Sequence, residues 1–77
     1  MITVYYKENC GQCKVVKRFL DTKGIEYKAE FVGQQDYGKI REKFGVEALP
    51  VTEFPDGFVT GANMGEITKH LKSNNLI

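Results

Sequence analysis

Two hydrophobic periods run along the chain, one typical of strands and one typical of helices. The apolar run at residues 2–6 is β-branched and aromatic throughout. Because polar residues do not alternate with apolar ones in this run, it predicts a strand covered on both faces. Residues 25–32 alternate instead, and place Tyr27, Ala29 and Phe31 on one face. That alternation predicts a half-exposed strand.

Apolar residues at helical spacing fill much of the rest of the chain. Residues 13–23 carry a single apolar stripe, and Gly24 follows at the place where a helix commonly ends. A second stripe over residues 35–44 predicts another helix, which Gly45 is expected to end. Ile67 and Leu71, four residues apart, mark a third helix near the end of the sequence.

Residues 51–60 have the pattern of a β-hairpin. Two short apolar segments flank Pro55-Asp56-Gly57, in which proline presets φ and glycine accepts a left-handed conformation. The predicted order is therefore βαβαββα, and its first three elements predict a right-handed βαβ unit. We expect a single α/β domain over residues 1–77, without a linker, a repeat or a low-complexity segment.

Length and charge exclude several classes of function. A chain of 77 residues buries only about 60% of its unfolded surface, so it cannot enclose a large cofactor and keep a core. A net charge of +1 argues against a nucleic-acid partner.

The charge is unevenly distributed along the chain, however. Residues 1–23 carry five basic and two acidic side chains, whereas residues 24–77 carry six basic and eight acidic ones.

The chain has no segment that resembles a membrane anchor. Its apolar runs are far shorter than the ~18–20 residues that span a bilayer, and its first residues do not form a signal peptide. We therefore expect a cytoplasmic protein without a membrane partner. Disulfides are seldom structural in that reducing compartment, so the two cysteines are expected to be chemically active.

The sharpest motif is Cys-Gly-Gln-Cys at residues 10–13, between the first strand and the first helix. The thiolate is the nucleophile in disulfide exchange, and a free thiol with a pKa of about 8.5 is mostly protonated at neutral pH. Unpaired N–H groups and the dipole at a helix N-terminus favour the anion of Cys10. Lys7 and Lys14 are close in sequence and would add to this effect. Gly11 leaves the approach to Cys10 open.

Three other interpretations of the cysteines compete with a redox pair. A zinc site needs four ligands, and the chain offers two cysteines and His70, which we expect to be a solvated helix residue. A static disulfide across four residues would constrain the chain little. Two unrelated buried cysteines would not be expected beside Gly11 and Gln12. A C-x-x-C between the strand and helix of a βαβ unit favours redox chemistry, and no metal site is expected.

Pro50 precedes the predicted third strand. Proline is ordinary at the start of a strand, where its missing N–H is not needed. A cis peptide bond is found at only about 5% of X–Pro positions. The residues alone leave both interpretations open.

Together these motifs resemble a glutaredoxin-class member of the thioredoxin superfamily. The resemblance rests on Tyr-x-Lys-x-x-Cys-x-x-Cys, on Ala-Leu-Pro-Val before the third strand and on a glycine-containing loop before the last helix. It covers essentially the whole chain. Gln12, the short length and the Gly61 loop are most similar to the small NrdH-type redoxins. The resemblance implies a thioredoxin-like (glutaredoxin) fold, with a four-stranded mixed sheet flanked by three helices.

The resemblance also implies how the cysteines work. Cys10 would be the exposed attacking thiolate and Cys13 the resolving thiol of a small dithiol–disulfide oxidoreductase. The working group would be the redox-active disulfide Cys10–Cys13, with no bound cofactor.

Six further residues are implied in substrate binding: Lys7, Gly11, Gln12, Leu49, Pro50 and Gly61. Pro50 would be a cis-proline beside the cysteine pair, and the backbone of Leu49 would pair with the substrate segment. Lys7 matches the family lysine that precedes the motif. Gly61 would begin the loop that completes the groove.

NrdH-type redoxins take electrons from thioredoxin reductase and pass them to ribonucleotide reductase, so the resemblance implies these partners for a monomeric protein. The loop at residues 60–65 departs from the family. It lacks the Gly-Gly-acid run of glutathione-binding glutaredoxins, with Glu66 displaced from the acidic position, and also the Gly-Phe-Arg-Pro-like run of NrdH-type chains. A glutathione-dependent glutaredoxin and a metal- or Fe–S-carrying binding protein are therefore the alternatives.

Overall fold

The computed structural model describes residues 2–46 and 48–77 of the chain. The strands and helices within them follow the predicted order, and one 3₁₀ turn, Gln34–Asp36, is added before the second helix. The elements are β1 (Ile2–Tyr6), α1 (Gly11–Thr22), β2 (Tyr27–Phe31), α2 (Tyr37–Phe44), β3 (Val51–Phe54), β4 (Gly57–Thr60) and α3 (Met64–Ser73). No helix among the described residues is long and apolar enough to cross a membrane.

The four strands form one mixed sheet in the order β2-β1-β3-β4. β1 pairs parallel with β2, as the crossover through α1 requires, and antiparallel with β3. Val4 lies opposite Ala29 on one side and Thr52 on the other. β3 and β4 form the predicted hairpin. The predicted four-stranded mixed sheet with three helices is confirmed.

One face of the sheet packs against α1 and α3. The cluster there joins Val4 of the central strand to Val16 and Leu20 of α1 and to Ile67 and Leu71 of α3, all of them fully buried. These are the positions of the predicted apolar stripes on the two helices. Burial of their side chains is therefore what holds α1 against β1.

The other face of the sheet packs against α2. Ile40 and Phe44 of this helix join Val51 of β3 in a second, smaller cluster. At its margin Lys43 Nζ donates to Tyr5 OH at 3.1 Å and to Glu53 Oε1 at 3.3 Å. The hydrogen bond with Tyr5, followed by that with Glu53, raises the pKa of Lys43. This network ties α2 to β1 and β3.

Positive-φ glycines follow two of the helices, as the sequence predicts. Gly24 (φ 69°) follows α1, and its N–H donates to Asp21 O at 3.0 Å. Gly45 (φ 72°) caps α2, and its N–H donates to Arg41 O at 2.8 Å. Both sites use the left-handed conformation that glycine adopts without steric cost.

The outer strand β2 is less covered than its alternating pattern suggests. Ala29 is exposed, Phe31 is 51% exposed, and only Tyr27 on that face is half-buried. The reason is position, because β2 lies at the edge of the sheet. The central strand β1 buries Ile2 and Val4 on one face. On its other face Tyr5 is half-buried against the α2 cluster, so both faces are covered as predicted, the second one only partly.

The prediction for His70 was wrong, and that for Gly57 was right about a positive φ but not about a position within the turn. Gly57 begins β4 with φ 158°, a value that residues with a Cβ rarely adopt. Its missing side chain serves packing, since a Cβ there would lie 3.2 Å from His70 Cε1. His70 is not a solvated residue. Its ring stacks on Phe54 with centroids 4.8 Å apart, because the hairpin turn folds onto α3.

A small polar cluster fastens this turn to the last helix. His70 Nδ1 lies 3.0 Å from Asp56 Oδ1, and Asn74 Nδ2 donates to the same oxygen at 3.0 Å. The hydrogen bond from Asn74, followed by that from His70, holds the pKa of Asp56 below its ordinary value of 3.8. The ionised carboxylate is thus the form that suits the folded state.

Replacing Leu20 by Ala tests the packing of α1. Leu20 is fully buried, so the substitution removes apolar contacts and leaves a cavity that costs about 2–5 kcal/mol of unfolding free energy. Urea and thermal unfolding measure this, with each kcal/mol lowering Tm by roughly 4–8 °C. The matched control is Val15→Ala on the same helix, at a side chain that is 50% exposed. Equal losses in both variants would contradict the assigned core.

The lowered pKa of Asp56 makes part of the stability depend on pH. Its contribution is complete above the ordinary carboxyl value of 3.8 and is lost as the pH falls through the lower folded-state pKa. We therefore expect Asp56→Asn to be less stable than the parent at pH 7, with the difference shrinking towards pH 2. Urea unfolding across this range measures it. Glu42→Gln, at an exposed position of α2, is the control. A difference independent of pH would refute the assignment.

Candidate redox site

Cys10 lies between β1 and α1, at the first position where the chain turns into the helix. It is the N-cap of α1, in an extended conformation (φ −109°, ψ 107°). Its Sγ accepts a hydrogen bond from the Cys13 N–H at 3.1 Å. The helix thus begins at Gly11, two residues earlier than the apolar stripe indicates, because the stripe marks the buried face and not the first turn.

The two cysteines form a disulfide within this first helical turn, with Cα atoms 5.2 Å apart. Both cysteines are buried in this disulfide form, Cys13 at 1% and Cys10 at 7% exposed, so the expectation of an exposed Cys10 is wrong here. Gly11 and Gln12 between them are exposed, and a Cβ on Gly11 would have no atom within 4 Å. The disulfide is therefore reached from solvent over Gly11, on the side of Cys10.

Three of the predicted substrate-binding residues meet beside this turn. The Leu49–Pro50 peptide bond is cis, and Pro50 O accepts a hydrogen bond from the Gly61 N–H at 2.8 Å. Gly61 has φ 73°. A Cβ there would lie 3.6 Å from Gln12 Oε1. The loop before β3, the loop after β4 and the first turn of α1 thus converge on one place.

Besides Gly11, two predicted residues remain and are placed differently. Leu49 is half-buried, and its side chain packs against the cluster under α2. Lys7 is exposed in the turn before Cys10. Among the described residues it makes no hydrogen bond or ion pair.

Asn63 has a structural role that the sequence reasoning missed. It is the N-cap of α3, and its Oδ1 accepts a hydrogen bond from the Glu66 N–H at 3.2 Å. Glu66 lies in the first turn of this helix. An Asn followed three residues later by Glu is a known helix-start pattern and would have identified the cap.

Potential metal ligands are not gathered in the structure. Within residues 2–46 and 48–77, no three His, Cys, Asp or Glu side chains form a group that could hold a metal ion. His70 lies at the hairpin turn with Asp56, so it does not join the cysteines as a ligand.

Comparison with solved structures identifies the fold. Glutaredoxin (grx-1) from Archaeoglobus fulgidus superposes with a TM-score of 0.79 at 21% identity, covering 91% of this chain and 84% of that one. The thioredoxin-like protein BC3987 gives a TM-score of 0.74 at 22% identity, covering 92% and 100%. Both likenesses confirm the predicted thioredoxin-like fold.

Sequence comparison identifies the family. The glutaredoxin family model matches residues 2–61. The glutaredoxin-like protein NrdH of Lactococcus lactis subsp. cremoris (strain MG1363) is 33% identical over 70 residues, which is 90% of this chain and 97% of that protein. The protein of the same name from Lactococcus lactis subsp. lactis (strain IL1403) matches to the same extent. With its cysteine pair at the start of α1, the chain belongs to the glutaredoxin family as a glutaredoxin-like redoxin of the NrdH type.

Proposed function

We propose that the protein reduces disulfides of a partner protein, with Cys10 as the attacking sulfur and Cys13 as the resolving one. The observation that carries this proposal is the position of Cys10 at the N-cap of α1, where its Sγ accepts the Cys13 N–H. The protein would act as a monomer in the cytoplasm, without a nucleic-acid or membrane partner. The net charge of +1 supports the proposal that nucleic acid is not the partner.

The exchange balances as a transfer of two electrons. The Cys10 thiolate attacks one sulfur of the target disulfide, that S–S bond breaks, and the second target sulfur leaves as a thiolate. Cys13 then loses its proton and attacks Cys10 Sγ. The bond between Cys10 and the target breaks as the Cys10–Cys13 bond forms. The target gains two electrons and two protons, and the protein gains the disulfide.

Two observations support Cys10 as the nucleophile. First, Cys13 is the more deeply buried of the pair, so an incoming disulfide reaches Cys10 first. Second, the N-cap position lets Cys10 Sγ accept the N–H of Cys13 in the first turn of α1. This donor and the helix dipole stabilise a thiolate more than a thiol.

The residues around the pair suit an extended substrate segment. The cis Leu49–Pro50 bond and the hydrogen bond from Gly61 to Pro50 O fix the backbone on one side of the pair. Gln12 reaches to Gly61 from the other side. We propose that the backbone of Leu49 pairs with the substrate.

The electron donor is proposed to be thioredoxin reductase and the recipient ribonucleotide reductase, as the NrdH resemblance implies. The N-terminus of α3 argues against glutathione. A tripeptide with two carboxylates is attracted to a helix N-terminus with free N–H groups. Here Asn63 Oδ1 already accepts the N–H of Glu66 at 3.2 Å, so one of these donors is occupied. The lack of the Gly-Gly-acid run in residues 60–65 also favours a donor other than glutathione.

Substituting each cysteine separately tests the division of roles. Cys10→Ser is expected to abolish reduction of a model protein disulfide. Cys13→Ser is expected to block resolution and to accumulate a mixed disulfide between Cys10 and the target. Mass spectrometry under non-reducing conditions detects that adduct. Turnover by the Cys10 variant, or an adduct through Cys13, would reverse the assignment.

Supplying alternative reductants tests the donor. We expect turnover with NADPH and thioredoxin reductase, and little with glutathione, glutathione reductase and NADPH. Turnover with glutathione alone would refute the NrdH-type assignment of the donor.

A further inference from the structure

Several basic side chains on α1 have no acidic partner among the described residues, a property they share with Lys69 and Lys72 on α3. On β2, α2 and β3, Lys28 pairs with Glu30 at 2.7 Å and Lys43 with Glu53 at 3.3 Å. In contrast, Lys14 and Arg18 on α1 make no ion pair or hydrogen bond through their side chains with any described residue. The positive surplus of residues 1–23 is therefore uncompensated where α1 faces solvent.

These charges lie along a shallow depression on α1, which is lined by Lys14, Val15, Lys17, Arg18, Asp21 and Thr22. We define the α1 surface as the first four of these side chains, the ones nearer to Cys10 in the sequence. Val15 is 50% exposed and supplies an apolar centre. Lys17 Nζ lies 3.2 Å from the ring centroid of Tyr6, which holds its ammonium in place.

The acidic groups near the α1 surface do not neutralise it. Asp21 lies at the far end of the depression, away from the cysteines, and interacts with the Tyr27 hydroxyl of β2. Glu8 lies in the exposed turn before Cys10 and makes no ion pair with the described residues. The end of the α1 surface that adjoins Cys10 is thus positive.

We propose that the α1 surface docks an acidic patch that flanks the disulfide of the target protein. This inference rests on the proposed function and names the kind of partner that function requires. A helix rises 1.5 Å per residue, so Lys14 and Arg18 lie roughly 6 and 12 Å along α1 from Cys10. A protein that presents a disulfide to Cys10 brings its neighbouring side chains within this range. Val15 supplies the apolar contact between the charges.

The distances fit electrostatic guidance of the encounter. The Debye length is about 10 Å at 0.1 M salt, so charges of the target beside its disulfide attract the α1 surface before contact. Such attraction raises association rates by roughly 10-fold or more and weakens with salt. A nucleic acid fits less well, because three cations on a chain of net charge +1 neutralise few phosphates.

The test compares two cyclic disulfide peptides that differ only in their flanking residues, acidic in one and basic in the other. Stopped-flow kinetics follow their reduction by the dithiol form of the protein. At low salt the acidic peptide is expected to react roughly 10-fold faster than the basic one, and the ratio is expected to approach one at 1 M salt. Equal rates at low salt would overturn the docking inference.

A charge-matched pair of variants locates the effect. Lys14→Gln/Arg18→Gln is expected to bring the ratio between the peptides close to one. Lys69→Gln/Lys72→Gln, which removes two charges from exposed positions of α3, is expected to preserve it. The opposite pattern would place the docking surface elsewhere and overturn the proposal.

A neutral probe separates docking from reactivity of the sulfur. Iodoacetamide alkylates Cys10 without docking, so its rate reports the reactivity of the thiolate alone. We expect Lys14→Gln/Arg18→Gln to change the ratio of the two peptide reduction rates by a larger factor than it changes the alkylation rate. Reduction of neither peptide by the parent protein would contradict the proposed function itself. Submicromolar binding of a labelled single-stranded oligonucleotide, lost in Lys14→Gln/Arg18→Gln, would assign the surface to nucleic acid and overturn the docking proposal.

Discussion

The hydrogen bond from the Cys13 N–H to Cys10 Sγ is the interaction on which the redox end of the molecule depends. A sulfur serves here as a helix cap, a role usually taken by the oxygen of Ser, Thr, Asn or Asp. The same contact starts α1 and brings the two cysteines into one turn. Cys10 Sγ is therefore both the cap of α1 and the proposed nucleophile. A substitution that moves the first residue of the helix would change the helix start and the redox site together.

That cap is useful only because α1 is held firmly behind it. Val16 and Leu20 are completely buried against the sheet and α3, so the first turn cannot drift relative to β1. A chain of this length buries only a modest fraction of its surface on folding, so its hydrophobic core is small. It places the largest buried side chains under the helix that carries the cysteines and leaves the edge strand β2 thinly covered. The packing is concentrated where the geometry of the site requires it.

The sequence was sufficient for features that depend on neighbouring residues. Helical and strand periods predicted the element order, glycines predicted the ends of α1 and α2, and Cys10 and Cys13 were identified by their spacing and place between strand and helix. Features that depend on distant residues were not predictable. The stacking of His70 on Phe54 follows from how the hairpin folds over α3. The convergence of Gln12 and Gly61 likewise joins two elements far apart in the chain.

The cluster of Asp56, His70 and Asn74 lies at the end of the sheet away from the cysteines, since β3 leads from Pro50 at one end to the hairpin turn at the other. Four strand residues separate the two ends, or roughly 13 Å. Substitutions more than 7–10 Å apart usually have additive effects. The contacts that fasten the hairpin turn to α3 are thus separate from the cysteine pair. Evolution or design can therefore change the free energy of unfolding at this turn while the redox site stays unchanged.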